Sequence, residues 1–61
     1  MIRVLLADDH NLVRQGIRTL LQISKSFEIV GEATDGEEAL ALIDRLRPQV
    51  VLLDVRMPKL T

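Results

Sequence analysis

The residues Ile2, Val4, Leu5, Leu6 and Ala7 form a nearly continuous apolar run, interrupted by Arg3, that stops at Asp8-Asp9-His10. A strand buried on both faces reads this way, because the alternation of a half-exposed strand disappears. From Asn11 the period changes: Leu12, Val13, Ile17, Leu20 and Leu21 recur at three- and four-residue spacing, with Arg14, Gln15, Arg18 and Gln22 between them. That spacing predicts an amphipathic helix, with Asn11 as N-cap, Gly16 as a modest weakness and Ser24-Lys25-Ser26 as its polar exit. Arg14 and Arg18 read as its solvated face.

Phe27 to Ala33 is a second strand, with β-branched Ile29 and Val30 at its centre and Gly31 marking a bend or a close contact. Asp35-Gly36-Glu37-Glu38 then reads as a helix start. Asp35 is the N-cap, Glu38 at the third helical position can bond back, and the acids cluster near the positive helix end. Ala39, Leu40, Ile43 and Leu46 supply one apolar stripe. Arg47-Pro48 ends the helix, because a residue before proline is pushed out of the helical region. Val50-Val51-Leu52-Leu53-Asp54 is a third apolar run that closes on an acid.

Strand, helix, strand, helix, strand with crossover-length connections is the signature of an α/β fold with a parallel sheet. The 61 residues form one unit, 1–61, with no internal boundary or repeat. Three strands leave an exposed edge, and the order looks like the first half of a larger sheet.

Composition narrows the function. Cysteine is absent, which removes disulfides and thiolate metal sites and fits a cytoplasmic protein. Eight Lys+Arg stand against nine Asp+Glu, and aromatics are 2%, so neither a basic surface nor a stacking platform argues for direct nucleic-acid binding. No apolar stretch approaches the roughly 20 residues of a membrane span.

The chemistry lies at the strand ends. Asp8 and Asp9 follow the first apolar run and Asp54 ends the third, which looks central to the sheet. Open parallel sheets bind ligands outside the carboxyl ends of their strands. If these two strands are neighbours, three carboxylates share one small volume. Two unit charges about 4 Å apart repel by roughly 4 kcal/mol at an effective dielectric near 20, so a proton or a cation must compensate them. Hard oxygen donors without a His-Cys set favour Mg²⁺. A carboxylate beside such an ion can also attack a phosphoryl group, and Asp54, the single acid, fits the nucleophile better than the Asp8-Asp9 pair. From spacing alone, solvated turn acids are the alternative reading. One histidine without a second makes His10 a helix-entry residue rather than a ligand.

With Ala7-Asp8-Asp9-His10, Leu12-Val13-Arg14-Gln15-Gly16-Ile17, the DGEEAL helix and Leu53-Asp54-Val55-Arg56-Met57-Pro58 laid out, the chain resembles the receiver domain of two-component response regulators. ADDHNLVRQGIRTLL is similar to the opening of regulators whose receiver precedes a helix-turn-helix output domain of the LuxR/FixJ, NarL-like type. The resemblance implies a flavodoxin-like sheet of five parallel strands in the order 2-1-3-4-5, of which this chain holds the βαβαβ half. It implies that Asp54 is the phosphoacceptor for a sensor histidine kinase. Asp8, Asp9 and Asp54 with the backbone carbonyl of Arg56 would hold Mg²⁺, and Met57-Pro58 would shape the adjoining loop.

The later strands, with their phosphate-binding hydroxyl and lysine, are expected beyond this sequence, as is the output domain through which DNA would be bound. Lys59 reads as a solvated loop charge. Arg14 and Arg18 lie on the helix that meets kinases in the family, which gives partner contact as a second reading for them.

Two further readings stand beside this one. As a structural module, the chain would pair its third-strand edge with a second copy or a complementary half, giving a homo-oligomer. A phosphatase of the haloacid dehalogenase type also uses a strand-end aspartate, but it wants a second Asp where this chain has Arg56.

Overall fold

The computed structural model describes residues 1–54, in the order β1 (Ile2–Ala7), α1 (Asn11–Ser24), β2 (Phe27–Ala33), α2 (Gly36–Leu46) and β3 (Val50–Leu53). The strands form one parallel sheet in the order β2-β1-β3. Arg56, Met57, Pro58 and Lys59 lie outside the described residues.

β1 is the central strand, so its run of apolar residues is covered on both sides. Val4, Leu5, Leu6 and Ala7 are each at most 1% exposed, and side chains of the size of Val4 and Leu5 contribute about 1.5–3 kcal/mol each when fully buried. The apolar run that ends in Asp54 is thus not central among the described strands: β3 flanks β1 and leaves Val50, Leu52 and Leu53 exposed.

Register places the acids. Ala7 lies opposite Leu53, and the Asp54 N–H donates to the Ala7 carbonyl at 3.0 Å. On the other side the Asp8 N–H donates to the Ala33 carbonyl at 3.0 Å. Between β1 and β2 the register slips: Val4 faces Ile29 but Leu5 faces Gly31, so Val30 is an extra residue in β2. Gly31 also meets the close-contact expectation. A Cβ there would lie 2.9 Å from Leu46 Cδ1 and 3.2 Å from Leu5 Cδ1, so the bare backbone lets α2 approach the sheet.

α2 begins as its sequence predicts. Asp35 accepts a hydrogen bond from the Glu38 N–H at 2.8 Å. Glu38 reaches back one residue further than expected, to the N–H of Thr34 at 2.7 Å. The inward stripe differs in one position. Leu42 packs against the core beside Ala39, whereas Leu40 is exposed, because 100° per residue carries Leu40 away from the line through Ala39, Ile43 and Leu46. The helix ends at Leu46 with Arg47 in the left-handed region, φ 51°, rather than in the extended backbone expected before proline. That conformation lets the Arg47 N–H donate to the Ile43 carbonyl at 3.0 Å. Arg3 from β1 then donates to the carbonyls of Leu46 and Arg47, satisfying groups that a helix end leaves open.

α1 corrects the sequence reading more deeply. Its N-cap is His10, not Asn11, which is already helical. Its sheet-facing side carries the half-buried Arg14, Ile17, Arg18 and Leu21, while Leu12, Val13, Leu20 and Ile23 are exposed. The arginines are not a solvated face: both pair with Glu32 of β2, at 3.0 Å from Arg14 Nε and 2.7 Å from Arg18 Nη1. Their partner lies on another element, so the apolar pattern of α1 alone does not report that these positions face the sheet.

Candidate functional site

The acids meet at the carboxyl ends of β1 and β3. Each β1 residue from Val4 to Ala7 lies level with its counterpart on β3, so the residues following Ala7 and Leu53 emerge side by side. These are Asp8 and Asp54. Their side chains are only 12% and 13% exposed, which recesses both at the sheet edge.

Asp8 is held at every polar group of its main chain and at its carboxylate. Its N–H bonds to Ala33, its carbonyl accepts from Arg14 Nη1 at 2.7 Å, and its Oδ1 accepts from the His10 N–H at 2.8 Å. The last bond is a side-chain turn onto the residue two positions on, and it shapes the entry to α1 in place of a side-chain cap. Asp9 follows at the rim, more exposed than Asp8.

His10 joins the group. Its Nδ1 lies 2.9 Å from Asp9 Oδ1, 3.4 Å from Asp8 Oδ1 and 4.0 Å from Asp54 Oδ2. Its side chain is 59% exposed, so it covers the acids from the solvent side. His10 is the helix-entry residue that its sequence position predicts, and it also faces the carboxylates. The signal was its place directly after the acidic pair.

One donor atom from each of Asp8, Asp9, His10 and Asp54 falls within 4.8 Å of the others. Three carboxylates that close carry a net repulsion of several kcal/mol at intermediate dielectric unless cations or protons offset it. The Arg14 guanidinium, 14% exposed and lining the same edge, supplies part of the offset. The oxygen-rich donor set fits a hard divalent ion such as Mg²⁺, which binds through one or two carboxylates and retains water.

Beside the acids lies a cavity of about 290 Å³. Asp8, Arg14 and Asp54 line its polar end, and Leu6, Ile17 and Leu52 line its apolar wall. Its position between α1 and the β1–β3 surface follows from the order of the sheet. Among the described residues, no buried side-chain polar atom lacks a hydrogen-bond partner, and no helix is long and apolar enough to cross a membrane.

Comparison with known proteins adds a family to this geometry. Residues 4–61 match the response regulator receiver domain. Over 58 residues the chain is 52% identical to the response regulator GacA of Pseudomonas viridiflava, covering 95% of this chain and 27% of that protein. It is 40% identical to the transcriptional regulatory protein DegU of Brevibacillus brevis over 58 residues, covering 95% of this chain and 25% of that protein. The chain therefore spans about a quarter of the curated relatives it matches.

Among solved structures, the signal receiver domain of the response regulator NarL from Mycobacterium tuberculosis superposes with a TM-score of 0.93 at 50% identity, over 95% of this chain and 47% of that one. A LuxR-family two-component response regulator from Aurantimonas superposes with a TM-score of 0.87 at 37% identity, over 93% of this chain and 41% of that one. A parallel β2-β1-β3 sheet with its acids at the carboxyl edge, together with these matches, places the chain in the response regulator receiver domain family, among relatives of the LuxR/NarL type.

Proposed function

We propose that this chain is the phosphoacceptor part of a response regulator and that Asp54 receives a phosphoryl group from a sensor histidine kinase. The observation that carries the reading is the level pairing of β1 with β3, which seats Asp54 beside Asp8 at a recessed but open edge. Asp8, Asp9 and Asp54 would hold Mg²⁺, with the backbone carbonyl of Arg56 as a further ligand. The ion, when bound, neutralises charge on the phosphoryl oxygens and on the carboxylates around it.

The transfer balances simply. A carboxylate oxygen of Asp54 attacks phosphorus, the phosphorus–nitrogen bond of the donor phosphohistidine breaks, and its electron pair returns to the ring nitrogen. The product is an acyl phosphate on Asp54 and a free histidine on the kinase. Asp8, fixed at its amide, carbonyl and carboxylate, holds one wall of the pocket rigid during this exchange.

In the whole protein, this event would control a DNA-binding output domain that regulates transcription in the cytoplasm. Receiver domains are signalling domains, so the phosphoaspartate is a signal rather than a step of turnover.

The test is incubation with Mg²⁺ and acetyl phosphate, a small phosphoryl donor, followed by intact mass. One added phosphoryl group that is lost in Asp54→Asn supports the assignment. An adduct that persists in Asp54→Asn overturns it.

A further inference from the structure

The guanidinium of Arg14 ties the acid site to the opposite strand of the sheet. Its Nη1 donates to the main-chain oxygen of Asp8 at 2.7 Å, and its Nε donates to Glu32 Oε1 at 3.0 Å. A third donor, Nη2, reaches Asn11 Oδ1. The planar fork thus spans β2, the β1–α1 loop and the first turn of α1, and its side chain is only 14% exposed. The carbonyl it holds belongs to the peptide that joins Asp8 to Asp9. A tilt of that peptide would swing Asp9 away from Asp8 and Asp54.

We propose that Arg14 is a positioning residue for the cation site, fixing the Asp8–Asp9 peptide, and that Glu32 aims it. The inference rests on the metal reading above. It concerns a residue that holds no metal and touches no phosphoryl group.

Two physical effects of Arg14 have opposite signs. Its positive charge beside the carboxylates repels an incoming divalent ion, so charge alone predicts tighter binding when the arginine is removed. Positioning predicts weaker binding, because a ligand whose supporting hydrogen bond is lost points less accurately. Arg18 is the internal control: it pairs with the same Glu32 carboxylate, at 2.7 Å, from one turn further along α1.

The experiment is a calorimetric Mg²⁺ titration of the wild-type chain, Arg14→Ala, Arg14→Lys and Arg18→Ala, with circular dichroism monitoring the fold. Arg14→Lys keeps the charge and loses the fork. Loss of a supporting residue of this kind weakens metal binding about 10–100-fold, and that drop is expected for both Arg14 variants while Arg18→Ala stays close to wild type. Unchanged or tighter binding by Arg14→Lys overturns the inference, as does an equal loss in Arg18→Ala. Should Arg14→Ala fail to fold, Arg14→Lys carries the decision. A wild-type chain that binds no Mg²⁺ overturns the metal reading itself, a result distinct from wild-type binding that Arg14→Lys leaves intact.

Discussion

Asp54 stands beside Asp8 because its N–H donates to the carbonyl of Ala7, the residue immediately before Asp8. The pairing is a main-chain relationship, so it does not depend on either carboxylate. Replacing a carboxylate should therefore change the chemistry of the edge and leave the sheet in place.

Asp9→Ala tests the ion. It removes one of three clustered carboxylates, and the loss of a direct ligand should weaken Mg²⁺ binding at least as much as loss of a supporting residue, about tenfold or more. In the metal-free chain the same change relieves repulsion, a gain on the order of 0.5–1 kcal/mol for a partly exposed charge. Calorimetric titration and urea unfolding read the two effects separately. Unchanged metal affinity would remove Asp9 from the site.

Gly31→Ala tests the approach of α2 to the sheet. The new methyl would lie 2.9 Å from the side-chain end of half-buried Leu46 and 3.2 Å from that of Leu5, which is 0% exposed and has little room to give. Overpacking of this kind costs about 1–3 kcal/mol. Urea unfolding should show a lower midpoint with an unchanged slope; an unaltered midpoint would mean that the leucines rearrange freely.

Asp35→Ala removes the acceptor of the Glu38 N–H at the start of α2. A lost N-cap costs about 0.5–2 kcal/mol, while Asp35→Asn should retain most of the stability. Thermal unfolding followed by circular dichroism distinguishes them. Equal stability of all three chains would assign the helix start to Glu38 and Thr34 instead.

Self-association is expected from the apolar surface that β3 presents, with Val50, Leu52 and Leu53 exposed along a strand at the edge of the described sheet. Sedimentation of the chain should reveal a species heavier than the monomer, and Leu52→Lys should dissolve it. A folded monomer at all concentrations would sink this expectation.

The strands were legible from sequence because β1 and β3 end abruptly in acids and β2 is β-branched at its centre, and the α2 start was legible because its cap uses neighbouring residues. Arg14 was not. Its partner Glu32 lies on another strand, and no periodicity within α1 reveals a carboxylate that arrives through the sheet. Leu42 is a different case: it lies three residues after Ala39 and four before Leu46, so helical spacing alone puts it on the inward stripe, where it packs against the core. For the candidate site, Asp8, Asp9 and Asp54 announced themselves as acids after apolar runs, whereas the contribution of His10 needed the loop to close over them.

The extra residue in β2 reaches further than its own strand. Val4 and Leu6 share one face of β1, and opposite them lie Ile29 and Glu32, which are three positions apart. In a regular strand an odd separation sends two side chains to opposite faces. By absorbing Val30, the irregularity turns Glu32 to the α1 side, where Arg14 and Arg18 meet it. A regular β2 aligned through Ile29 would present that carboxylate to α2, and the arginine that steadies Asp8 would lose its anchor. A one-residue irregularity on a flanking strand thus helps decide how firmly the acid edge is held on the other side of the sheet's central strand.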